Sequence, residues 1–250
     1  MKALVTGGSS GIGRDIVRYL VELGYDVFTV GTNIEKLESL QQELGNRVIP
    51  IAKDLSVKEN CINLYEILKE EKIDLLVNNA GFGVFGNFTE TDLEREIKLI
   101  NTNITAVHVL TKLFLKDMVK ANKGKILNVA SIAGYAPGPL MATYYSSKAY
   151  VLRLTQGIYE ELKKQKSNVT VSCLCPGPVA TNFNNVANVK FSLKALSSEY
   201  VAKYAIDKTL KGKLVIVPGF KIKVLKILSK LSPDKLTMKL IYKNQTKKKQ

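Results

Sequence analysis

Two adjacent tyrosines stand just ahead of a lysine in the stretch ATYYSSKAY, residues 142–150. Residues three and four apart share one face of a helix, so Lys148 can meet either Tyr144 or Tyr145. A lysine ammonium beside a phenol favours the phenolate, and such a pair can exchange protons with an alcohol or a carbonyl group. The pattern Y-x-x-x-K occurs three more times in the chain, so spacing alone does not choose the tyrosine.

A glycine-rich turn lies near the N-terminus, where VTGGSSGIGRDIV joins an apolar strand to a helix. Gly7, Gly11 and Gly13 allow tight turns and let main-chain N–H groups approach an anion. The helix that follows directs its positive N-terminal end at the same point. Because the turn follows a strand and opens a helix, we interpret it as a pyrophosphate-binding turn and not as an ordinary glycine-rich loop.

The elements that must position these residues alternate along the chain. Seven short apolar or β-branched runs are predicted as strands, at 2–6, 26–30, 47–52, 74–80, 124–131, 169–176 and 213–219. Amphipathic stretches predict helices near 12–23, 34–44, 58–71, 91–121 and 143–165. This alternation predicts an α/β fold: a doubly wound parallel sheet of Rossmann type, with about seven strands and helices on both faces.

Composition limits the class of protein. With 250 residues and 46% hydrophobic content, the chain is long enough for one large domain, which we place at residues 1–220, followed by a basic amphipathic C-terminal extension at 221–250. No apolar run reaches the ~20 residues of a membrane span and no signal peptide is recognisable, so we expect a cytoplasmic protein. Three cysteines and one distant histidine predict neither a disulfide framework nor a metal site.

Further motifs resemble, in order, those of the short-chain dehydrogenase/reductase family. Residues 6–13 match its glycine signature T-G-x-x-x-G-x-G, while KDL at 53–55 and NNAG at 78–81 look like its turns after the third and fourth strands. PGPVAT at 176–181 resembles its nicotinamide-side turn. The resemblance extends from residue 2 to about residue 185. It implies a Rossmann-type oxidoreductase that uses a nicotinamide dinucleotide.

The resemblance also selects the tyrosine. Ser131 precedes Tyr144 by thirteen residues, the separation typical of the family's catalytic serine and tyrosine, and Tyr145 stands one residue out of register. The implied catalytic residues are therefore Asn103, Ser131, Tyr144 and Lys148. Ser131 would hold a carbonyl oxygen and Lys148 would lower the pKa of Tyr144, since an unperturbed phenol titrates near pH 10. The resemblance further implies that Lys148 binds ribose hydroxyls and that Asn103 anchors a water.

Cofactor contacts are expected along the carboxyl ends of the strands. The residues that the motifs assign to them are Thr6, Gly7, Ser9, Ser10, Gly11, Ile12, Gly13, Thr32, Asn33, Asp54, Leu55, Asn79, Ala80, Gly81, Tyr144, Lys148, Pro176, Gly177, Val179 and Thr181. A carboxylate at the end of the second strand would mark NAD. Residues 31–33, Gly-Thr-Asn, supply none. This favours NADP over NAD, with Arg14 or Lys36 adding positive charge near a 2′-phosphate.

The expected function is hydride transfer between NADPH and a hydrophobic ketone or secondary alcohol, such as a 3-oxoacyl or steroid-like compound. The alternative is a non-catalytic dinucleotide-binding or sensor protein, which would have no need of an activated tyrosine. Apolar residues in the segments expected around the substrate support the first: Phe82, Phe85, Tyr135, Met141 and Phe183. Apolar walls are common in ligand pockets, so the substrate itself stays open.

Positive charge is concentrated at the C-terminal end of the chain. The formal charge is +15, and residues 211–250 hold 12 lysines and a single acid. Periodicity predicts two short basic amphipathic helices there, separated by Ser232 and Pro233. They could cover the body beside the substrate entrance, attach to an anionic membrane, or dock an acidic acyl carrier or coenzyme A. Nucleic acid is disfavoured because no aromatic platform is interleaved with the lysines.

Assembly is expected to be homo-oligomeric. The helical stretches at 91–121 and 143–165 are long, and the resemblance implies that two copies pair through them. The C-terminal extension would obstruct a second contact, so we expect a dimer and not a tetramer.

Overall fold

A seven-stranded parallel sheet forms the centre of the computed structural model, which describes residues 1–181 and 195–246. In chain order its strands are β1 (Lys2–Thr6), β2 (Asp26–Gly31), β3 (Val48–Ala52), β4 (Leu75–Asn78), β5 (Lys125–Val129), β6 (Thr170–Leu174) and β9 (Val215–Ile216). Between the last two lie β7 (Val179–Ala180) and β8 (Leu196–Ser197), which pair with each other. The order across the large sheet is β3-β2-β1-β4-β5-β6-β9.

Helices cover both faces of this sheet. They are α1 (Gly11–Glu22), α2 (Ile34–Leu44), α3 (Lys58–Leu68), α4 (Leu93–Ile100), α5 (Val107–Lys120), α6 (Ala142–Lys164), α7 (Ser198–Leu210), α8 (Phe220–Leu231) and α9 (Asp234–Thr246). The alternation of side chains along β1 separates two cores. Ala3 and Val5 pack with α1, α2 and α7, whereas Leu4 packs with α3, α5 and α6.

The direction of winding changes at β1, which pairs with β2 on one side and β4 on the other. In an open parallel sheet the loops that leave two such strands diverge to opposite faces, and a crevice opens at their carboxyl ends. The glycine-rich turn follows β1 and the NNAG motif follows β4, so both motifs lie at this crevice. The fold predicted from the sequence, a Rossmann-type sheet of seven strands, is confirmed.

Some elements differ from their predicted form. The predicted helix at 91–121 is α4 and α5 joined by a π-helical segment, Asn101–Ala106, and the predicted strand at 213–219 is reduced to the two residues of β9. The two C-terminal helices form as the periodicity predicted, with a break at Ser232 and Pro233. Phe183 lies outside the described residues. In the described ranges no helix combines the length and apolarity needed to cross a membrane.

Candidate active site

The glycine-rich turn has a backbone that other residues would not adopt easily. Gly7 and Gly11 have φ angles of +68° and +55°, in the left-handed region that favours glycine. Gly13 has no room for a side chain, since a Cβ there would lie 2.2 Å from the Gly7 carbonyl oxygen. The N-cap Ser10 makes no side-chain hydrogen bond to α1. The first N–H groups of α1 are thus available to an anion, as a dinucleotide pyrophosphate requires.

The NNAG segment fastens this turn to β4. Asn79 Nδ2 donates to the carbonyl oxygens of Thr6 and Gly7, at 3.0 and 3.1 Å. Thr6 Oγ1 accepts from the backbone N–H groups of Asn79 and Ala80, both at 3.0 Å. The side chains of Thr6 and Asn79, which the sequence assigned to cofactor contacts, thus hold the two loops together.

Ser131, Tyr144 and Lys148 come together where β5 meets α6. Ser131 caps a short 3₁₀ turn, Ile132–Tyr135, with Oγ accepting from the Ala133 N–H at 3.1 Å. The same hydroxyl is hydrogen-bonded to the Tyr144 phenol. Lys148 lies one helical turn from Tyr144, with Nζ 5.8 Å from the centre of its ring and donating to the Val129 carbonyl at 2.9 Å. Tyr144, and not Tyr145, therefore contacts both partners.

Asn103 lies in the π-helical segment, a geometry frequent at functional sites. It is fully buried, and its side chain both accepts from the Phe82 N–H and donates to the Phe82 carbonyl, at 3.1 and 2.9 Å. Nδ2 also donates to Ser147 Oγ at 3.1 Å. A Cβ on Gly81 would lie 2.8 Å from Asn103 Oδ1 and 3.4 Å from Lys148 Nζ. Gly81 thus lies close to both Asn103 and Lys148.

Burial dominates the electrostatics of this group. It raises the pKa of Tyr144 well above its usual value, although the hydrogen bond from Ser131 acts in the opposite direction. Burial also lowers the pKa of Lys148 to about 8. The pKa of Tyr144 is therefore raised on balance, because desolvation of the phenolate outweighs the interactions that stabilise it, and the expected lowering effect of Lys148 stays a prediction. At neutral pH the phenol is protonated.

One cavity of about 840 Å³ joins the glycine-rich turn to Ser131, Tyr144 and Lys148. Of the residues predicted from the sequence, it is lined by Gly7, Ser9, Ser10, Gly11, Ile12, Gly13, Thr32, Asp54, Leu55, Asn79, Ala80, Gly81, Ser131, Tyr144, Lys148, Pro176, Gly177, Val179 and Thr181. Thr6, Asn33 and Asn103 are not among the lining residues. Two of the predicted substrate-side residues, Phe82 and Met141, line it, and Phe85 packs against Met141.

Most polar side chains at or near the β2 end of the cavity are held by other protein groups. Asn33 Oδ1 accepts from the Lys36 N–H at 2.8 Å and caps α2, while Asp54 accepts from Lys98 Nζ at 2.8 Å. Arg14 is paired with Glu43 at 3.0 Å. The carboxylate of Glu43 also binds Arg18, and these arginines lower its pKa to about 2. Thr32, which directly follows β2, lines the cavity, whereas Asn33 and Arg14 do not.

The C-terminal helices α8 and α9 form a wall of the same cavity. The glycine and tyrosine motifs could not predict this wall. The lining residues from this region are Leu225, Leu228, Ser229, Ser232, Thr237, Leu240, Ile241, Asn244 and Gln245. Gln245 Nε2 donates to the Tyr145 hydroxyl at 3.2 Å. The sequence feature that could have indicated this wall was the amphipathic periodicity of the segment. Tyr145 thus contacts the C-terminal wall, while its neighbour Tyr144 contacts Ser131.

Among the described residues no cluster of histidine, cysteine or acidic side chains has the arrangement of a metal site. Cys173 and Cys175 are buried in the region of β6, with their sulfur atoms 3.8 Å apart. The only histidine, His108, binds the Tyr150 hydroxyl at 2.7 Å on the surface where α5 and α6 meet. None of these three residues lines the cavity.

Comparison with known proteins gives consistent matches. A family model described as short chain dehydrogenase matches residues 1–190. A probable NADP-dependent dehydrogenase of Haemophilus influenzae is 36% identical over 190 residues, which are 74% of each chain. A 3-oxoacyl-[acyl-carrier-protein] reductase of Chlamydia pneumoniae is 32% identical over 207 residues, 79% of this chain and 81% of the relative.

The fold has close counterparts among solved structures. A short-chain dehydrogenase from Sphingobium yanoikuyae, solved in complex with NADPH, superposes with a TM-score of 0.82. The superposition covers 92% of this chain and 93% of the other, at 27% sequence identity. It therefore extends beyond the matched residues of the family model into the C-terminal part of the chain.

Proposed function

The chain belongs to the short-chain dehydrogenase/reductase family of NAD(P)-dependent oxidoreductases, and we propose that within it the protein is an NADPH-dependent reductase of a hydrophobic ketone. The observation that carries the proposal is the cavity in which Tyr144 contacts Ser131 and lies one helical turn from Lys148. When bound, the nicotinamide cofactor supplies the hydride. The residues of the chain hold the substrate and move the proton.

The proton-donating step fits the protonation states of the site. Because burial raises the pKa of Tyr144, the phenol keeps its proton at neutral pH and can give it to the carbonyl oxygen as that oxygen becomes an alkoxide. Ser131 Oγ is hydrogen-bonded to this phenol and can hold the same oxygen. Lys148 carries positive charge below its pKa of about 8 and stabilises the phenolate that remains. Its contact with the Val129 carbonyl fixes its position.

NADPH is favoured over NADH by the chemistry at the end of β2. No carboxylate occurs at Gly31, Thr32 or Asn33, so a 2′-phosphate meets no repulsion there. The H. influenzae relative is named as NADP-dependent, and the S. yanoikuyae structure contains NADPH. Both support the same preference for this chain.

The substrate class follows from the apolar side of the cavity. Phe82, Met141, Leu225 and Leu228 contribute to its lining, and such a surface favours an acyl or comparably apolar ketone over a small polar one. The C. pneumoniae relative is a 3-oxoacyl reductase by name. We therefore propose a 3-oxoacyl thioester as the first compound to assay, with a steroid ketone as the second.

Two matched variants test the proposal. Tyr144→Phe removes the proton donor and should lower turnover with NADPH by at least about a thousandfold, near the upper range of general acid catalysis, while NADPH still binds. Tyr145→Phe removes a hydroxyl that contacts Gln245 and should change turnover by less than about tenfold. Absorbance of NADPH over a panel of ketones measures turnover, and fluorescence titration measures binding. Equal losses in the two variants would overturn the assignment.

A further inference from the structure

The helix α8 carries an exposed apolar stripe. Phe220, Val224 and Ile227 lie at i, i+4 and i+7, on one stripe, and are 80%, 38% and 57% exposed. Ile222 is buried against Gly177, where a Cβ would lie 2.4 Å from its side chain. The helix therefore packs on the body through the side that holds Ile222 and leaves an apolar stripe open.

Two lysines of α8 lie beside aromatic rings of the protein body. Lys223 Nζ lies 6.0 Å from the ring centre of Tyr204, and Lys226 Nζ lies 5.3 Å from that of Tyr135. Lys223 is exposed and Lys226 is half-buried. Phe220, Val224 and Ile227 lie on the other side of the helix from Ile222 and stay at the surface.

The next helix, α9, presents an apolar stripe and a basic stripe side by side. Leu236 and Leu240 are exposed one turn apart. Lys235, Lys239 and Lys243, at i, i+4 and i+8, are exposed next to them. The opposite face is held by the buried side chains of Thr237 and Gln245. We name the exposed stripes of α8 and α9 together the C-terminal surface.

Charge on this part of the chain is almost entirely positive. Residues 220–246 contain seven lysines and one acid, Asp234, and residues 247–249 add three more lysines. Among the side chains that the structure describes in this segment, no ion pair is formed by Lys221, Lys223, Lys226, Lys235, Lys239 or Lys243. The C-terminal surface therefore combines exposed apolar side chains with positive charge that has no acidic partner there.

We propose that the C-terminal surface docks on an anionic lipid bilayer. A basic amphipathic helix at a membrane buries its apolar stripe at the headgroup boundary, while its lysines interact with anionic headgroups. An acidic protein would attract the lysines but has no need of five exposed apolar residues, and nucleic acid has no apolar layer to receive them. Because no described helix is suited to span a membrane, the contact is peripheral.

The docking surface adjoins the cavity wall. Leu225 and Leu228 of α8 line the cavity, and Leu228 is also exposed. An apolar ketone dissolved in the bilayer would have a short path along α8 to Tyr144. That consequence rests on the proposed reaction, whereas the docking itself is measured without turnover.

Flotation of the full-length protein with vesicles tests the docking. Vesicles of equimolar phosphatidylglycerol and phosphatidylcholine should carry the protein at about 0.05 M salt and release most of it at about 0.5 M, where charges are screened over a much shorter distance. Vesicles of phosphatidylcholine alone should carry little. If the protein does not float with the anionic vesicles at low salt, the proposal is wrong.

Two pairs of variants separate a specific surface from net charge. The triple variant Lys235→Gln/Lys239→Gln/Lys243→Gln should weaken vesicle binding at least about tenfold, because each surface lysine contributes up to about 1 kcal/mol. Lys112→Gln/Lys116→Gln/Lys120→Gln on α5 has the same charge change and spacing and should not weaken it. Equal losses in the two triples would show attraction by net charge alone and would overturn the proposal.

The apolar stripe is tested in the same way. Phe220→Ser/Ile227→Ser should weaken binding at least about tenfold, since about two apolar side chains lose their contact with lipid. Ile62→Ser/Ile67→Ser, a matched change at exposed positions of α3, should leave binding unaltered. Each variant is checked for its circular dichroism spectrum. Retention on an immobilised acidic acyl carrier protein, without flotation of any form, would assign the surface to a protein partner and contradict the membrane.

Discussion

Burial of the Lys148 ammonium lowers the free energy of unfolding. The proposed reaction nevertheless needs this charged group in the site. Its side chain is 5% exposed, and its pKa is lowered to about 8. The unfolded chain binds this proton more tightly than the folded protein does. The resulting penalty is complete below about pH 8 and disappears as the pH rises towards the ordinary lysine pKa. Near pH 7 it is on the order of 3 kcal/mol.

Replacement of this lysine should separate stability from activity. Lys148→Met removes the buried charge and keeps a side chain of similar length, but it loses one hydrogen bond to the Val129 carbonyl. On balance the free energy of unfolding at pH 7 should rise by about 2 kcal/mol. Urea unfolding without added cofactor measures this. Between pH 7 and about pH 10 the advantage over the unmodified protein should shrink. A variant less stable than the unmodified protein at pH 7 would contradict the burial argument. Turnover should be lost throughout.

A second residue tests the choice of cofactor. Gly31 ends β2, and a Cβ there would lie 3.4 Å from its nearest neighbour, Ser9 Oγ, so a side chain is tolerated. Gly31→Asp places a carboxylate near the expected 2′-phosphate and should move the NADPH-to-NADH affinity ratio towards NADH by at least about tenfold. Gly31→Asn is the uncharged control. Tighter binding of NADH than of NADPH by the unmodified protein would contradict the preference.

At the scale of elements, the position of Ser131 depends on how its 3₁₀ turn packs on α6. A Cβ on Gly134 would lie 2.7 Å from the Lys148 carbonyl oxygen, which is a backbone atom and cannot rotate away. The glycine therefore allows the turn and the helix to approach closely enough for Ser131 to reach Tyr144. The distance between two elements, and not the serine alone, sets the geometry of the site.

Gly134→Ala should force these elements apart. We expect a loss of about 1 to 3 kcal/mol in the free energy of unfolding, as for an overpacked core, and at least a tenfold loss of turnover. Gly157→Ala, in α6 with nothing within 4 Å of the new Cβ, should instead stabilise the protein by about 0.5 to 1 kcal/mol. Thermal unfolding and NADPH oxidation measure both effects. An active, fully stable Gly134→Ala protein would contradict this account of the packing.

The sequence predicted those helices, strands and turns whose physical signal lies in residues close together in the chain. The strands β1 to β6 follow from apolar runs, and the pyrophosphate turn follows from glycines between a strand and a helix. The π-helical segment around Asn103 gives no such signal, because it depends on contacts with Phe82 and Ser147 distant in sequence. The contacts of α8 and α9 with the cavity give no local signal for the same reason. Periodicity identifies an amphipathic helix but not which face meets the body.

At the scale of the whole molecule, the prediction of a dimer remains to be tested. Leu93 and Ile97 lie one turn apart on α4 and are 68% and 42% exposed. Their position in the long α4–α5 segment fits the helical contact expected between two copies. Burial of such a pair is favourable in proportion to its apolar area.

Sedimentation velocity at micromolar concentration should give a species of twice the mass of one chain. Ile97→Lys should shift the distribution towards monomer, because a lysine at the centre of the contact would be desolvated. Ile67→Lys, on the exposed face of α3, should leave it unchanged. A monomer alone for the unmodified protein would contradict the prediction.

The hydrogen bond between Gln245 and Tyr145 joins residues one hundred positions apart, and it has a consequence for synthesis on the ribosome. The glycine-rich turn emerges before Tyr144, and the wall formed by α8 and α9 is made after both. The residues that line the dinucleotide end of the cavity are thus synthesised before those that close the substrate compartment. A stop codon within α9 would therefore alter the compartment while leaving every residue of the dinucleotide end in place.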